Sequence, residues 1–230
     1  MEQHTYEALR KEAREALGDG RLGDALHALE GLAGAGGQWE NVSALDEIKE
    51  AYGMMLDYME RGSADPGRET MYNDFVRRAG ELLDRVERGC ELRQARSHYA
   101  AVHATLDRLG GTDWTAAARC LVENAEALAA CRRARPADEG SGRVRSLREE
   151  HVRLYRTLFE ALWTGAPWTA AEAEAAAAFL SAPAPAGADK GLLVSAVTLA
   201  LLHVFDVRKM TFLLDHSLSA CVPVRVRAQV

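Results

Sequence analysis

Three groups of histidine and carboxylate residues could carry chemistry in this chain, either as metal ligands or in proton transfer. His98 and His103 lie five residues apart on a predicted helix, whereas a metal-binding pair needs a spacing of three or four to share one helix face. Glu149, Glu150 and His151 are adjacent, and neighbouring helical positions point about 100° apart. We therefore predict that the first pair is structural and that the second group lies on a solvated helix face.

The third group is His203 and Asp206, three residues apart at the end of the most apolar helical pattern. This spacing allows a local hydrogen bond, and a buried histidine–carboxylate pair can respond to pH, but a core histidine with satisfied hydrogen bonds is the simpler interpretation. The sequence has no GxSxG nucleophile elbow and no HExxH zinc motif. We predict no catalytic residue, no cofactor and no metal site, and therefore a protein that is not an enzyme. The alternative is a helical enzyme or small-ligand-binding bundle with His203, Asp206 or His151 in its pocket.

Arginines crowd around the most polar loop of the chain, residues 136–142. Such a cluster could bind an acidic partner or a phosphate group. The interleaved acids Asp138, Glu139, Glu149 and Glu150 could equally neutralise it. The candidate partner-binding residues of this cluster are Arg132, Arg133, Arg135, Arg143, Arg145 and Arg148.

Two tryptophans are further candidates for partner binding. Trp163 and Trp168 bracket a short Thr-Gly-Ala-Pro turn between two predicted helices. They could form an aromatic recognition patch, or they could plug the corner where the two helices meet, as large aromatic side chains often do. From the sequence both roles stay open.

Composition argues for a globular protein and against several classes of function. Of the 230 residues 48% are hydrophobic, which is enough for a core, and the formal net charge is −6. We do not expect a nucleic-acid partner, because that function needs a dense basic face. The apolar run Leu192–Phe205 is too short to cross a bilayer, so we expect no membrane partner. The N-terminus has no secretory signal, and we expect a cytoplasmic protein.

The four cysteines give no sign of a metal site or a disulfide framework. Cys90, Cys120, Cys131 and Cys221 are scattered, without CxxC or Cys/His ligand spacing. This pattern predicts free thiols in a reducing compartment.

Apolar residues recur at three- and four-residue steps almost throughout, and no segment shows the two-residue alternation of a half-buried strand. The prediction is an all-α fold of about eleven helices that pack as antiparallel neighbours. Ser43 is expected to cap the third helix, and Thr169 with Glu172 to form a capping box. The predicted helices cover residues 5–17, 22–33, 43–61, 69–88, 91–109, 114–133 and 143–163, with further helices opening at 167, 190, 206 and 222.

Two segments resemble helical-repeat families. The segment ALGDGRLGDALHALEGL at residues 16–32 resembles the turn and second helix of a tetratricopeptide repeat. Asp206–Arg208, and again Val224–Ala228, resemble the start of the second helix in HEAT-type repeats, a resemblance that covers residues 189–230. It implies that the aspartate caps its helix, that the valine enters the core and that the arginine bonds along the ladder of repeats. On that basis Val207→Asp is expected to unfold this part of the chain.

These patterns together predict the organisation and a class of function. Antiparallel helical hairpins and a bundle over residues 1–165 would continue into a HEAT-like α-solenoid stack over residues 166–230, truncated at the C-terminus. Such stacks present a binding surface. We therefore predict a non-catalytic protein–protein interaction scaffold, the N-terminal helical-repeat part of a larger protein. A HEAT-like nucleic-acid-binding protein and a homo-oligomeric assembly module are the further alternatives.

Overall fold

The computed structural model describes residues 3–35, 38–62, 66–94, 97–111, 113–134 and 142–229. In these residues the backbone forms eleven helices and no strand, which confirms the all-α prediction. No helix in these ranges is both long enough and apolar enough to cross a membrane. In chain order the helices are α1 (Gln3–Gly18), α2 (Leu22–Ala35), α3 (Trp39–Glu60), α4 (Arg68–Gln94), α5 (His98–Arg108), α6 (Trp114–Ala134), α7 (Gly142–Thr164), α8 (Ala170–Ser181), α9 (Gly187–Leu201), α10 (Val207–His216) and α11 (Val222–Ala228).

The chain divides into two compact units, Met1–Gln94 and Ala95–Val230. The first unit contains α1 to α4, and the second contains α5 to α11. The domain boundary predicted at residue 165 lies inside the second unit, between α7 and α8.

The first unit opens with a helical hairpin of α1 and α2, against which α3 and α4 pack. Gly20 forms the hairpin turn with a φ of +71°, a conformation that favours glycine because other residues carry a Cβ. The Gly20 carbonyl accepts a hydrogen bond from the Tyr72 hydroxyl of α4. Mainly aliphatic side chains fill the interior of this unit, among them Leu22, Leu29, Leu32, Leu45, Ile48, Leu82, Leu83 and Val86.

The second unit is built around α9. This helix packs against α7, α10 and α11, while α6 packs along α7 and α8 lies against α6 and α10. Leu193, Val194 and Val197 of α9 are fully enclosed. The apolar run at this place in the sequence is therefore covered on more than one face, as a helix without a polar side requires.

One predicted helix boundary is wrong because of a glycine. The helix predicted to end at Arg88 continues as α4 to Gln94, and the next helix begins only at His98. Gly89 therefore lies inside α4, where it does not stop the helix but lets a buried side chain approach. A Cβ at Gly89 would lie 2.6 Å from the side-chain oxygen of Gln38, whose amide nitrogen donates to a carbonyl of the same helix at 2.9 Å.

The two predicted helix caps have different outcomes. The capping box at the start of α8 is confirmed: the backbone N–H of Glu172 donates to the Thr169 hydroxyl at 3.3 Å, and the Glu172 carboxylate accepts from the backbone N–H of Thr169 at 2.8 Å. The cap predicted at Ser43 is wrong, because α3 already begins at Trp39.

Candidate functional site

Trp168 lies in the core of the second unit, at the corner between α7 and α8. Its ring stacks on Trp114 of α6, with ring centroids 5.5 Å apart and planes inclined by 25°. The side-chain nitrogen of Lys209 lies 5.8 Å from the centre of the Trp168 ring. Of the two roles open for this tryptophan, the structure places it in the corner, since only 3% of Trp168 is exposed.

Trp163 belongs to a separate aromatic group formed by α5, the end of α7 and the segment after α9. Its ring centre lies 5.7 Å from that of His98, 5.5 Å from that of Tyr99 and 6.2 Å from that of His203. His203 stacks flat on Tyr99, with ring centres 3.7 Å apart. The indole N–H of Trp163 is buried and has no hydrogen-bond partner in the described part of the chain. This group is a packed aromatic cluster.

Asp206 joins the starts of α8 and α10. One carboxylate oxygen accepts a hydrogen bond from the backbone N–H of Trp168 at 2.6 Å, and the other accepts from the backbone N–H of Arg208 at 2.8 Å. The aspartate therefore caps α10, as the HEAT resemblance implies. The Arg208 side chain donates to the carbonyl of Trp168 at 3.2 Å, so this arginine also bonds to the segment that leads into α8.

The expectation that Val207 enters the core is wrong. Val207 is 60% exposed, and Lys209 is the buried member of this turn, with 2% exposed. The Lys209 ammonium donates to the carbonyl of Ala166 at 3.1 Å. Because Phe212 and Leu213 are also enclosed, the inward face of α10 follows positions 209, 212 and 213 and leaves Val207 on the opposite side.

His151 is not on a solvated face, in contrast to the prediction for this segment. Its Nδ1 lies 3.2 Å from the side-chain oxygen of Asn124 in α6, and its Nε2 lies 3.3 Å from a carboxylate oxygen of Asp189 in α9. Asn124 donates in turn to the carbonyl of Leu147 at 3.2 Å. The histidine therefore connects three helices, whereas the neighbouring Glu150 pairs with an arginine of its own helix.

The arginine cluster lies at one end of the α6–α7 hairpin. Arg132 and Arg133 are exposed in the last turn of α6, and Arg143 and Arg145 are exposed at the start of α7. Arg145 forms an ion pair with Glu149 at 3.2 Å. Arg148, on the same helix, is exposed and also interacts with another residue. Arg135, with Asp138 and Glu139, lies outside the described residues. The role of this cluster in partner binding stays a prediction.

A groove of about 690 Å³ runs between α6 and α8 in the second unit. Its floor is apolar and shallow, since most of its side chains are single methyl groups. Val122 and Phe179 also line it. The alanines that line it are Ala118, Ala171, Ala175, Ala178 and Ala182. Four carboxylates and one arginine stand on its rim: Asp113, Glu123, Glu126, Glu172 and Arg119.

Two of the rim carboxylates are held in the charged form by hydrogen bonds. Burial alone would raise the pKa of Glu172, but bonds from Thr169 and from the Trp114 indole N–H, 3.0 Å away, bring it below its ordinary value. The pKa of Asp113 is lowered by the Thr115 hydroxyl and by backbone N–H groups at the start of α6. These two carboxylates therefore keep their negative charge to a lower pH than ordinary glutamate and aspartate side chains do.

This groove was not among the sites predicted from the sequence, although the alanine spacing of α8 indicates it. The residues at 171, 175, 178 and 182 follow the four- and three-residue steps of a helix face. The core contacts of α8 come chiefly from Ala176, Phe179 and Leu180. A second apolar stripe beside the core stripe indicates a face available for another contact.

No group of three His, Cys, Asp or Glu side chains in the described ranges is arranged to hold a metal ion. The four cysteines are free thiols, of which Cys90 is buried and Cys120 exposed. Comparison with protein-family models, with curated proteins and with solved structures gives no match to this chain. The groove is therefore the candidate functional site on its geometry alone.

Proposed function

We propose that this protein is a non-catalytic protein-interaction module, and that the groove between α6 and α8 receives one amphipathic helix of a partner protein. The supporting observation is the groove itself, which is lined by alanines and bordered by carboxylates. Docking of an amphipathic helix in an apolar groove is a common mode of peptide recognition.

The floor selects for shape. Ala171, Ala175 and Ala178 leave no long side chain between the groove and the backbone of α8, so an incoming helix can approach closely and insert larger apolar residues. Val122 of α6, which is half-buried, provides apolar contact for such residues. A partner with leucine or methionine at three- and four-residue steps fits this floor.

The rim selects for charge. Glu123 and Glu126 are exposed on α6, and Glu172 and Asp113 stay ionised because of their hydrogen bonds. Among the described residues that line the groove, Arg119 is the single cation. A helix with lysine or arginine on both flanks of its apolar stripe would complement this rim, and long-range attraction would speed its association.

We also infer that the second unit belongs to the helical-repeat type of architecture, with a HEAT-like arrangement of α8 to α11. The Asp206 cap and the bond from Arg208 to the segment that leads into α8 match what the resemblance implies. The exposed side chain of Val207 departs from it. Such stacks act by presenting grooves between helices, which agrees with an interaction function.

A designed peptide tests the proposal directly. The probe is a fluorescein-labelled helical peptide with leucine and alanine on one face and lysine on both flanks, and the control peptide carries glutamate in place of lysine. Fluorescence anisotropy should show micromolar binding of the lysine peptide, weakened by salt, and at least about tenfold weaker binding of the glutamate peptide.

Groove variants show whether the peptide binds where we propose. Ala175→Phe should fill the floor and Glu123→Lys with Glu126→Lys should reverse the rim, each reducing affinity at least about tenfold. The matched controls are Ala130→Phe and Glu174→Lys, exposed positions on the same two helices that do not line the groove. Equal binding of both peptides, or equal loss in the controls, would refute the proposed site.

A further inference from the structure

We propose that two copies of this chain associate through α10, packed antiparallel about a two-fold axis near Thr211. This interface is distinct from the groove between α6 and α8. It rests on the outward face of α10, which carries an apolar stripe interrupted at Thr211 and two charges in a self-complementary order.

The outward face of α10 exposes large apolar side chains. Val207 is 60% exposed and Leu214 is 65% exposed, and they lie seven residues apart, two turns of the same face. The stripe continues at both ends of the helix, with Phe205 exposed before it and Leu218 exposed after it. Thr211, in the middle, is small enough to let a second helix approach closely.

Two opposite charges flank this stripe along one edge. Arg208 and Asp215 are both exposed and lie seven residues apart, so that they occupy the same side of the helix two turns apart. Both border a small groove between α8 and α10 that also includes Val207 and Thr211. Although Arg208 donates one bond to the Trp168 carbonyl, a guanidinium has five N–H donors and keeps others for a partner.

An antiparallel pair of α10 helices satisfies all of these groups at once. A two-fold axis between residues 211 and 212 places Arg208 of each copy opposite Asp215 of the other. The same axis brings Phe205 of each copy to the level of Leu218 of the other, and Val207 close to Leu214. A contact of this kind is isologous and closed, so that it forms a dimer and does not polymerise.

The size of the face sets the expected affinity. A ten-residue helix with its flanking segments offers less than the roughly 1,600 Å² that a standard stable interface buries. We therefore expect a reversible dimer with a dissociation constant of about 1–100 µM.

Charge reversal at the two flanking residues tests the interface. In an Arg208→Glu dimer, each introduced glutamate would face Asp215 of the other copy, so that two pairs of carboxylates repel. In an Asp215→Arg dimer, each introduced arginine would face Arg208 of the other copy, so that two pairs of guanidinium groups repel. Each variant alone should be monomeric in sedimentation velocity at concentrations where the unmodified chain is dimeric. In an equimolar mixture the two introduced side chains face each other with opposite charges, and the native pair of Arg208 and Asp215 forms across the axis. The two variants should therefore form a heterodimer.

The remaining variants separate this interface from a loss of folding. Leu214→Glu should also be monomeric, and Leu109→Glu, at an exposed leucine directly after α5, should dimerise normally, both with unchanged circular dichroism. The proposal is overturned by a monomeric unmodified chain at about 500 µM, well above the expected dissociation constant, which would leave this face to another protein. It is equally overturned if the mixed variants fail to associate or each variant alone still dimerises. The peptide-binding assay on the α6–α8 groove is unaffected by any of these results.

Discussion

The carboxylate of Asp206 accepts a hydrogen bond from the backbone N–H of Trp168, 38 residues earlier in the chain, at 2.6 Å. Its second oxygen caps α10. Because Asp206 is only 5% exposed, both bonds form away from water, where a lost partner leaves a polar group unsatisfied. One side chain thus fixes the relative position of two helix N-termini.

Asp206→Ala should therefore destabilise the second unit by about 2–4 kcal/mol, the sum of a lost helix cap and an unsatisfied buried N–H. Urea denaturation followed by circular dichroism measures the change. Asp107→Ala, at an exposed position of α5, is the matched control and should change stability by less than about 0.5 kcal/mol. Equal effects of the two substitutions would contradict the role given to Asp206.

Val207 and Val224 occur in similar sequence contexts, but substitution by aspartate should lower the stability of the protein much more at one of them than at the other. Val224 is 1% exposed, whereas Val207 lies on the outer side of α10. Val224→Asp should cost about 3–5 kcal/mol, because it buries an unpaired carboxylate. Val207→Asp should change stability by less than about 1 kcal/mol, since the charge is solvated and lies at a helix N-terminus. Melting at about 1 µM, where self-association adds little, compares them.

The connection from α7 to α9 through His151 and Asp189 should appear as an energetic coupling. A double-mutant cycle with His151→Ala and Asp189→Ala isolates their interaction from the effects of each residue alone. We expect the two changes together to cost about 0.5–2 kcal/mol less than the sum of the single changes. Strict additivity would show that the 3.3 Å contact contributes nothing to stability.

The cap at Asp113 should make the stability of α6 depend on pH. Hydrogen bonds from Thr115 and from backbone N–H groups lower the pKa of Asp113, so its stabilising contribution is present above the ordinary aspartate pKa of about 3.9 and is lost as the pH falls through the lower folded-state value. Asp113→Ala should therefore cost about 1 kcal/mol at neutral pH, and the cost should shrink as the pH falls below the ordinary aspartate pKa. A difference in melting temperature that does not shrink with acidification would oppose this assignment.

The helices themselves were predictable because each carries a local signal. Thr169 and Glu172 form their capping box from residues only three positions apart, and the apolar periodicity of α7 can be recognised without knowledge of its neighbours. The boundary between α4 and α5 was not predictable in this way. A glycine at position 89 predicts the end of a helix. The reason for it is the close contact with Gln38, a residue from a distant part of the chain, which only the structure reveals.

The functional surfaces depend still more on tertiary contacts. Whether Val207 or Lys209 points inward is decided by where the carbonyl of Ala166 lies, and a lysine is an unexpected choice for a core position. His151 likewise appeared solvated because its partners, Asn124 and Asp189, come from two other helices. The sequence did contain the second alanine stripe of α8, but periodicity alone does not distinguish a packed stripe from an open groove.

The stacked pair of Trp114 and Trp168 has a practical consequence for work on this protein. Two indole rings held 5.5 Å apart at a fixed inclination should couple their electronic transitions and give a paired, oppositely signed band in the circular dichroism spectrum. Trp168 is tied through its backbone N–H to Asp206, so loosening of the α8–α10 junction should change that band before helix content falls. The chain thus contains an intrinsic optical reporter of the region next to both proposed binding surfaces.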